Sequence, residues 1–249
     1  MKDKIALVTG GTSGIGRAAA IAFANAGADV VIVGRRETEG LTTAKLVQQA
    51  GRKALFFRAD VSNESECKQM VKATIEKFGR LDFAFNNAGV EGQMGPLVEA
   101  TNENYRTVMD INVFGVLASM KYQIPAILKS GGGAIVNNAS VASLIGMAGT
   151  SIYAASKCAV VGLTRAASVE MATQKIRINA VSPGGVQTEM YDRFTGGQDA
   201  VKEQMNTLHP IGRVGTPNEI ADLVVFLCSE KATFITGQNI AIDGGLSVP

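Results

Sequence analysis

Tyr153 and Lys157 stand at i and i+4 in a stretch with helical spacing, residues 151–172, so their side chains leave one face of the predicted helix. A phenol titrates near pH 10, too high for easy proton exchange at neutral pH. An ammonium beside it favours the phenolate and lowers that value. Such a pair can give a proton to a carbonyl oxygen or take one from an alcohol. Upstream, Ser140 follows a predicted strand at 134–138, where its hydroxyl can hydrogen-bond a substrate oxygen. Alone, a Tyr-x-x-x-Lys pair is common helix decoration; its weight depends on what else the chain supplies.

The chain supplies a glycine turn. Thr9-Gly10-Gly11-Thr12-Ser13-Gly14-Ile15-Gly16 joins a predicted strand at 4–9 to an alanine-rich helix at 17–26. Gly10 can take dihedrals closed to other residues, Gly14 lets backbone approach a pyrophosphate, and Gly16 lets helix and strand pack closely. The helix N-terminus adds free N–H groups and partial positive charge. The spacing differs from G-x-G-x-x-G, and a glycine-rich βα turn without a ligand is the competing reading. Its position after the first strand favours phosphate binding by Gly10, Thr12, Ser13, Gly14, Ile15 and Gly16. At the end of the second strand, Val33-Gly34-Arg35-Arg36-Glu37, Gly34 stands where a carboxylate would hold an adenosine 2′-hydroxyl. Arg35 and Arg36 suit a 2′-phosphate, which favours NADP(H) over NAD(H); the alternative is a solvated loop with Glu37 neutralising one of them.

The elements that must position these groups alternate. Strands are predicted at 4–9, 29–33, 54–59, 81–86, 134–138, 176–181 and 239–243. Helices are predicted at 17–26, 38–50, 62–78, 102–128, 151–172 and 217–229, with Ser62 as an N-cap and Pro125 breaking the long helix near its end. Residues 182–214 are rich in Gly, Pro and polar residues and lack clear periodicity. Strand–helix alternation implies an α/β fold: one Rossmann-type doubly wound parallel sheet of about seven strands with helices on both faces. Residues 1–249 read as a single domain with a substrate-covering segment at about 185–214. Ligands bind such sheets at the carboxyl ends of the strands.

Composition narrows the class. The 249 residues are 46% hydrophobic and 18% charged, as in a globular protein. A net charge of +2 from 24 basic and 22 acidic residues gives no case for nucleic acid or an anionic membrane. The apolar run after the basic start is too short for a signal peptide, and no stretch approaches the roughly 18 apolar residues of a membrane span. Three scattered cysteines, Cys67, Cys158 and Cys228, form neither a disulfide framework nor a metal site, which suits a cytoplasmic protein.

Taken together, the glycine turn at 9–16, Asp60-Val61, Asn86-Asn-Ala-Gly89, Asn112, Ser140, Tyr153-Ala-Ala-Ser-Lys157 and Pro183-Gly184 resemble the short-chain dehydrogenase/reductase family, with similarity to its 3-oxoacyl-(acyl-carrier-protein) reductases. The resemblance spans essentially the whole chain. It implies that Tyr153 is the acid/base, that Lys157 binds the nicotinamide ribose and lowers the tyrosine pKa, and that Ser140 orients the carbonyl. Asn112 would hold a water that relays protons from Lys157; the competing reading is an Asn bonding backbone. Asp60 and Val61 would border the adenine. Asn87, Ala88 and Gly89 would flank the cofactor and brace the sheet. Pro183, Gly184, Val186 and Thr188 would line the nicotinamide. Family members are commonly homotetramers joined through two long helices, and Ala154, Ala155, Ala159, Gly162, Ala166 and Ala167 would permit close approach of the second.

The substrate is read from the walls at 91–95, 141–150 and 185–208. Ser140, Val141, Met147, Tyr153, Gly185 and Met190 are the candidate contacts, with Leu144, Ile145, Tyr191 and Phe194 adding apolar surface and Gln93 a donor. Met205 also sits in these walls. These suit a fairly apolar small-molecule ketone or alcohol. An acyl-carrier partner would need a basic patch, for which Arg193 and Arg213 are candidates. His209, the single histidine, pairs with no carboxylate and reads as structural, and Cys158 as a small packed residue. Two other functions fit less well: a non-catalytic NADP(H)-binding sensor, which would be free to lose one of Ser140, Tyr153 or Lys157, and a nucleotide-sugar epimerase, which would want a further C-terminal domain. An NAD-dependent alcohol or sugar dehydrogenase of the same family is the nearer alternative.

Overall fold

The computed structural model describes residues 1–248. Its seven strands are β1 (Ile5–Thr9), β2 (Asp29–Gly34), β3 (Ala54–Arg58), β4 (Phe83–Asn86), β5 (Gly133–Asn138), β6 (Ile176–Pro183) and β7 (Asn239–Ile242). They form one sheet in the order β3-β2-β1-β4-β5-β6-β7, every pair parallel. The order reverses between β1 and β4, so the crevice of a doubly wound sheet opens above their carboxyl ends.

Alternation within each strand builds two cores. Ala6 and Val8 of β1 and Val30 and Ile32 of β2 face one layer with Phe23, Val224 and Leu227; Leu7, Val31 and Val33 face the other with Met70, Ile127 and Val160. The first layer is made by α1 (Gly14–Asn25), α2 (Glu37–Gln49) and α9 (Pro217–Cys228); the second by α3 (Glu64–Phe78), α5 (Gly115–Lys129) and α6 (Ser151–Met171). Burial on both faces explains why the strands read as continuous apolar runs.

Several sequence expectations need correction. Asn63, not Ser62, caps α3, accepting from Ser65 N–H; Ser62 instead bonds the Asp60 carboxylate. Helix α5 runs through Pro125 to Lys129. Pro125 is exposed, so the carbonyl its ring cannot satisfy lies on the solvent side. The region before it is not one uniform helix: α4 (Asn102–Met109) passes through a π-helical turn, Asp110–Phe114, into α5. Averaged over a window, this run, Asn102–Lys129, is long and apolar enough to cross a membrane, and half of that window is buried in the protein. The unpatterned 182–214 segment contains α7 (Glu189–Phe194) and α8 (Asp199–Leu208). They are short, and α8 buries none of its residues.

Candidate active site

The glycine turn is held by its own backbone geometry. Gly10 and Gly14 both adopt positive φ, +63° and +49°. At Gly16 a Cβ would lie 2.2 Å from the Gly10 carbonyl oxygen, so only glycine fits under the turn. Ser13 makes no side-chain cap on α1, which leaves first-turn N–H groups available to an anion. Its hydroxyl instead accepts from Arg36. Asn87 fastens the turn to β4: Nδ2 donates to the carbonyls of Thr9 (3.1 Å) and Gly10 (3.3 Å), and Oδ1 accepts from Asn138 at 3.0 Å.

Above this turn lies a cleft of about 590 Å³. Its walls include Gly10, Thr12, Ser13, Gly14, Ile15, Arg35, Arg36, Asp60, Val61, Asn87, Ala88, Gly89, Tyr153, Lys157 and Thr188. Gly16 lies beneath it, and Pro183, Gly184 and Val186 border a second, adjoining cavity. The residues fit a dinucleotide. Free N–H groups meet the place of a pyrophosphate, and the buried Oδ1 of Asn138 has no partner among the described residues. A Cβ on Gly34 would come within 2.6 Å of the Thr12 methyl, so the absence of an acid there is also steric.

Neither arginine at the cleft is free. Arg35 lies 3.5 Å from Asp60, and Arg36 pairs with Glu189 of α7 at 2.7 Å. Burial alone would raise the Asp60 pKa, yet hydrogen bonds from Ser62 and the charge of Arg35 hold it below the usual carboxylate value.

The adjoining cavity, about 130 Å³, brings Ser140, Val141, Met147, Tyr153, Gly185 and Met190 together, with Tyr191, Phe194 and Met205. Ser140 caps the short turn after β5, its Oγ accepting from Ala142 N–H at 3.2 Å, so its single hydroxyl proton is left for the Tyr153 oxygen beside it or for a substrate oxygen that replaces it. Leu144 and Ile145 do not line the cavity; Leu144 is exposed, and so is Gln93. Met94 and Leu246 line it without having been singled out by sequence. Leu246 arrives from the far end of the chain, where Asp243 accepts from Gly245 and Ser247 N–H.

Tyr153 and Lys157 share one face of α6, the ammonium 5.6 Å from the ring centre. Lys157 Nζ donates to the Asn138 carbonyl at 2.8 Å, and burial lowers its pKa to about 8. The phenol differs from the sequence expectation. Burial pushes the Tyr153 pKa up, the hydrogen bond with Ser140 pulls it down, and the charge of Glu91 raises it again. Lys157 is not among the groups that lower it.

Asn112 sits in the π-helical turn and is 1% exposed. Its amide bonds both backbone groups of Val90, and its Nδ2 also donates to Ser156. It lines neither cavity; Gly89 separates it from the cleft. Beneath the site, Asn86, Gln123, Asn137 and Thr164 form a buried hydrogen-bond chain joining β4, α5, β5 and α6. Of these, only Asn86 belonged to a recognisable motif.

His209 is buried, its Nε2 accepting from Gly185 N–H at 3.0 Å and its Nδ1 facing the Met205 carbonyl, so it holds the 183–185 loop. Cys158 is exposed rather than packed. Arg193 and Arg213 make bidentate pairs with Glu91 and Glu219, which weakens them as an entrance patch for an acidic carrier.

Comparison with known proteins bears on all of this. The sequence matches the family described as enoyl-(acyl carrier protein) reductase over residues 10–247. It is 41% identical to cyclohexanol dehydrogenase of Acinetobacter sp. (strain SE19), covering 97% of this chain and 94% of that one. It is also 41% identical to 2,5-dichloro-2,5-cyclohexadiene-1,4-diol dehydrogenase of Sphingobium indicum, covering 99% and 98%. Among solved structures, levodione reductase superposes with a TM-score of 0.96 at 36% identity, covering 99% of this chain and 98% of that one. NAD⁺-bound xylitol dehydrogenase does so at 0.94 and 32%, covering 98% and 99%.

Proposed function

The chain belongs to the short-chain dehydrogenase/reductase family, and from that premise we propose that it is an NADP(H)-dependent oxidoreductase interconverting a compact, fairly apolar ketone and its secondary alcohol. One observation carries the reading: Ser140 and Tyr153 line a small cavity that opens where Tyr153 and Lys157 border the glycine-turn cleft. The cavity walls are largely apolar, Val141, Met147, Met190 and Phe194 among them, which suits an apolar ring. The relatives named as dehydrogenases of cyclohexanol and of a cyclohexadiene-1,4-diol point the same way.

When bound, the nicotinamide supplies the hydride in reduction and accepts it in oxidation. The chain's residues manage the oxygen and the proton. Ser140 Oγ donates a hydrogen bond to the carbonyl oxygen and orients it. Tyr153 Oη delivers the proton to that oxygen as charge develops, and removes it in the reverse direction. Lys157 is an ammonium below about pH 8 and would hold the nicotinamide ribose. Asn112 fixes Val90 and the Ser156 end of α6 and stands behind Gly89, where a relay water would reach Lys157.

Glycines 10, 14 and 16 with Thr12, Ser13 and Ile15 would hold the pyrophosphate; Asp60 and Val61 would border the adenine; Asn87, Ala88 and Gly89 would flank the cofactor. Pro183, Gly184, Val186 and Thr188 face the nicotinamide. The preference for NADP(H) rests on Arg36, whose guanidinium already gathers Ser13, Thr12 and the anionic Glu189 at one point. The NAD⁺-bound neighbour keeps NAD(H) as the alternative.

The enzyme works as a cytoplasmic homotetramer of single-domain subunits without nucleic-acid or membrane partners. Support for assembly comes from α6, where Ala155, Gly162 and Ala166 are exposed beside Val169, 79% exposed. A panel of cyclic and open-chain ketones, followed by NADPH absorbance, tests the activity. Turnover of compact cyclic ketones is expected; binding of NADPH with no turnover of any member favours the sensor reading instead.

A further inference from the structure

The substrate cavity has one charged wall. Glu91 follows the Asn86–Gly89 stretch and borders both the cleft and the cavity. Its side chain is 16% exposed and is gripped by Arg193, Nε to Oε1 at 2.6 Å and Nη2 to Oε2 at 3.2 Å. Arg193 comes from α7 with its side chain 56% exposed, so the guanidinium keeps its water while the carboxylate has lost most of its own. A carboxylate has about four acceptor sites, and Arg193 takes only two of them. The remaining capacity lies at a cavity whose other walls are largely Met94, Met147, Met190, Phe194 and Leu246. The charge reaches the reacting group as well: after burial, Glu91 is the influence that raises the Tyr153 pKa.

We propose that Glu91 is a specificity-determining residue that accepts a hydrogen bond from a second hydroxyl on a neutral ring substrate and excludes anionic substrates. The proposal rests on the reading of the chain as an oxidoreductase for compact cyclic alcohols and ketones, and names which of them it prefers. A site built to hydrogen-bond a hydroxyl rejects the analogue that lacks it, because its own polar group is then left unmatched in an apolar pocket. An anion inside the cavity meets the carboxylate oxygens, since the charge of Arg193 is already committed to Glu91 and borders the cleft rather than the cavity.

The test compares kcat/KM for oxidation of cyclohexanol, cyclohexane-1,4-diol and 4-hydroxycyclohexanecarboxylate by the unmodified enzyme, Glu91→Gln and Glu91→Leu. The unmodified enzyme is expected to favour the diol over cyclohexanol by about tenfold, the size of a hydrogen bond to a charged group, and to use the carboxylate poorly. Glu91→Leu should erase the diol preference, and Glu91→Gln should improve the carboxylate relative to the diol. Dinucleotide affinity by calorimetry and the melting temperature, measured alongside for Glu91→Gln, separate a general loss of the site from a change in substrate preference. If Glu91→Leu does not fold, the relief of anion exclusion in Glu91→Gln decides. Equal loss on all three substrates, or an unmodified enzyme indifferent to the second hydroxyl, overturns the role of Glu91 and leaves the ring-substrate reading standing. Oxidation of open-chain secondary alcohols with no activity on either neutral ring overturns that reading, and the Glu91 proposal with it.

Discussion

Lys157 should weaken the protein that it serves. Its ammonium is 4% exposed, and burial lowers its pKa from 10.5 to about 8. At 1.36 kcal/mol per pKa unit, holding the charged form in the fold costs about 3 kcal/mol below pH 8. The direction follows from proton counting: between pH 8 and 10.5 the unfolded chain binds more protons, so this penalty fades as pH rises through that window. The hydrogen bond to the Asn138 carbonyl returns about 1.5 kcal/mol. Lys157→Met is therefore expected to stabilise the cofactor-free protein by about 1–2 kcal/mol at pH 6.5, a few degrees in melting temperature for a chain of this size. The same variant should lose turnover. Melting curves of both proteins from pH 6.5 to 10 test this; the gain should shrink toward pH 10. A variant no more stable than the parent at pH 6.5, or a gain independent of pH, refutes the reasoning.

Ser140→Ala should lower kcat by about 10²–10³, as loss of an oxyanion donor does, while NADPH binding by fluorescence stays intact; an unchanged kcat removes Ser140 from the chemistry. Arg36→Ala should raise KM for NADPH by about tenfold, because a charged phosphate contact of about 1.5–3 kcal/mol is partly offset by the exposed Arg36–Glu189 pair it replaces. KM for NADH should barely move, and comparable kcat/KM for both cofactors in the parent enzyme sinks the NADP(H) preference. A switch to NAD(H) through Gly34→Asp and Arg35→Ser should need Thr12→Ser as well, since the Thr12 methyl fills the space of a Cβ at 34.

The fold was legible because both faces of the sheet are buried and each strand end carries a short motif. Strand count and the placing of the glycine turn, Ser140, Tyr153 and Lys157 around one crevice follow from that alone. What was not legible depends on contacts across the chain. Nothing near Tyr153 in sequence shows that Glu91 raises its pKa, or that Asn138 takes the hydrogen bond of Lys157. The ammonium was expected to lower the phenol pKa, a sign that burial reverses in the cofactor-free protein. Arg36 and Arg193 read as free cations because their partners, Glu189 and Glu91, lie far away in the chain. Leu246 was missed because a C-terminal segment carries no signal that it will turn back onto the substrate cavity. Pro125 was read as a breaker because sequence does not show that its ring faces solvent.

The central claim is that Tyr153 moves the proton while the nicotinamide cofactor exchanges the hydride. Tyr153→Phe keeps the ring and removes only the hydroxyl, so single-turnover oxidation of cyclohexanol, followed by the rise in nicotinamide absorbance, tests the claim most directly. Cofactor binding equal to the parent is expected, with a hydride-transfer rate reduced by at least about 10²-fold, the lower range for a positioned general acid–base group. A Tyr153→Phe enzyme that binds cofactor and transfers hydride at the parental rate would contradict it.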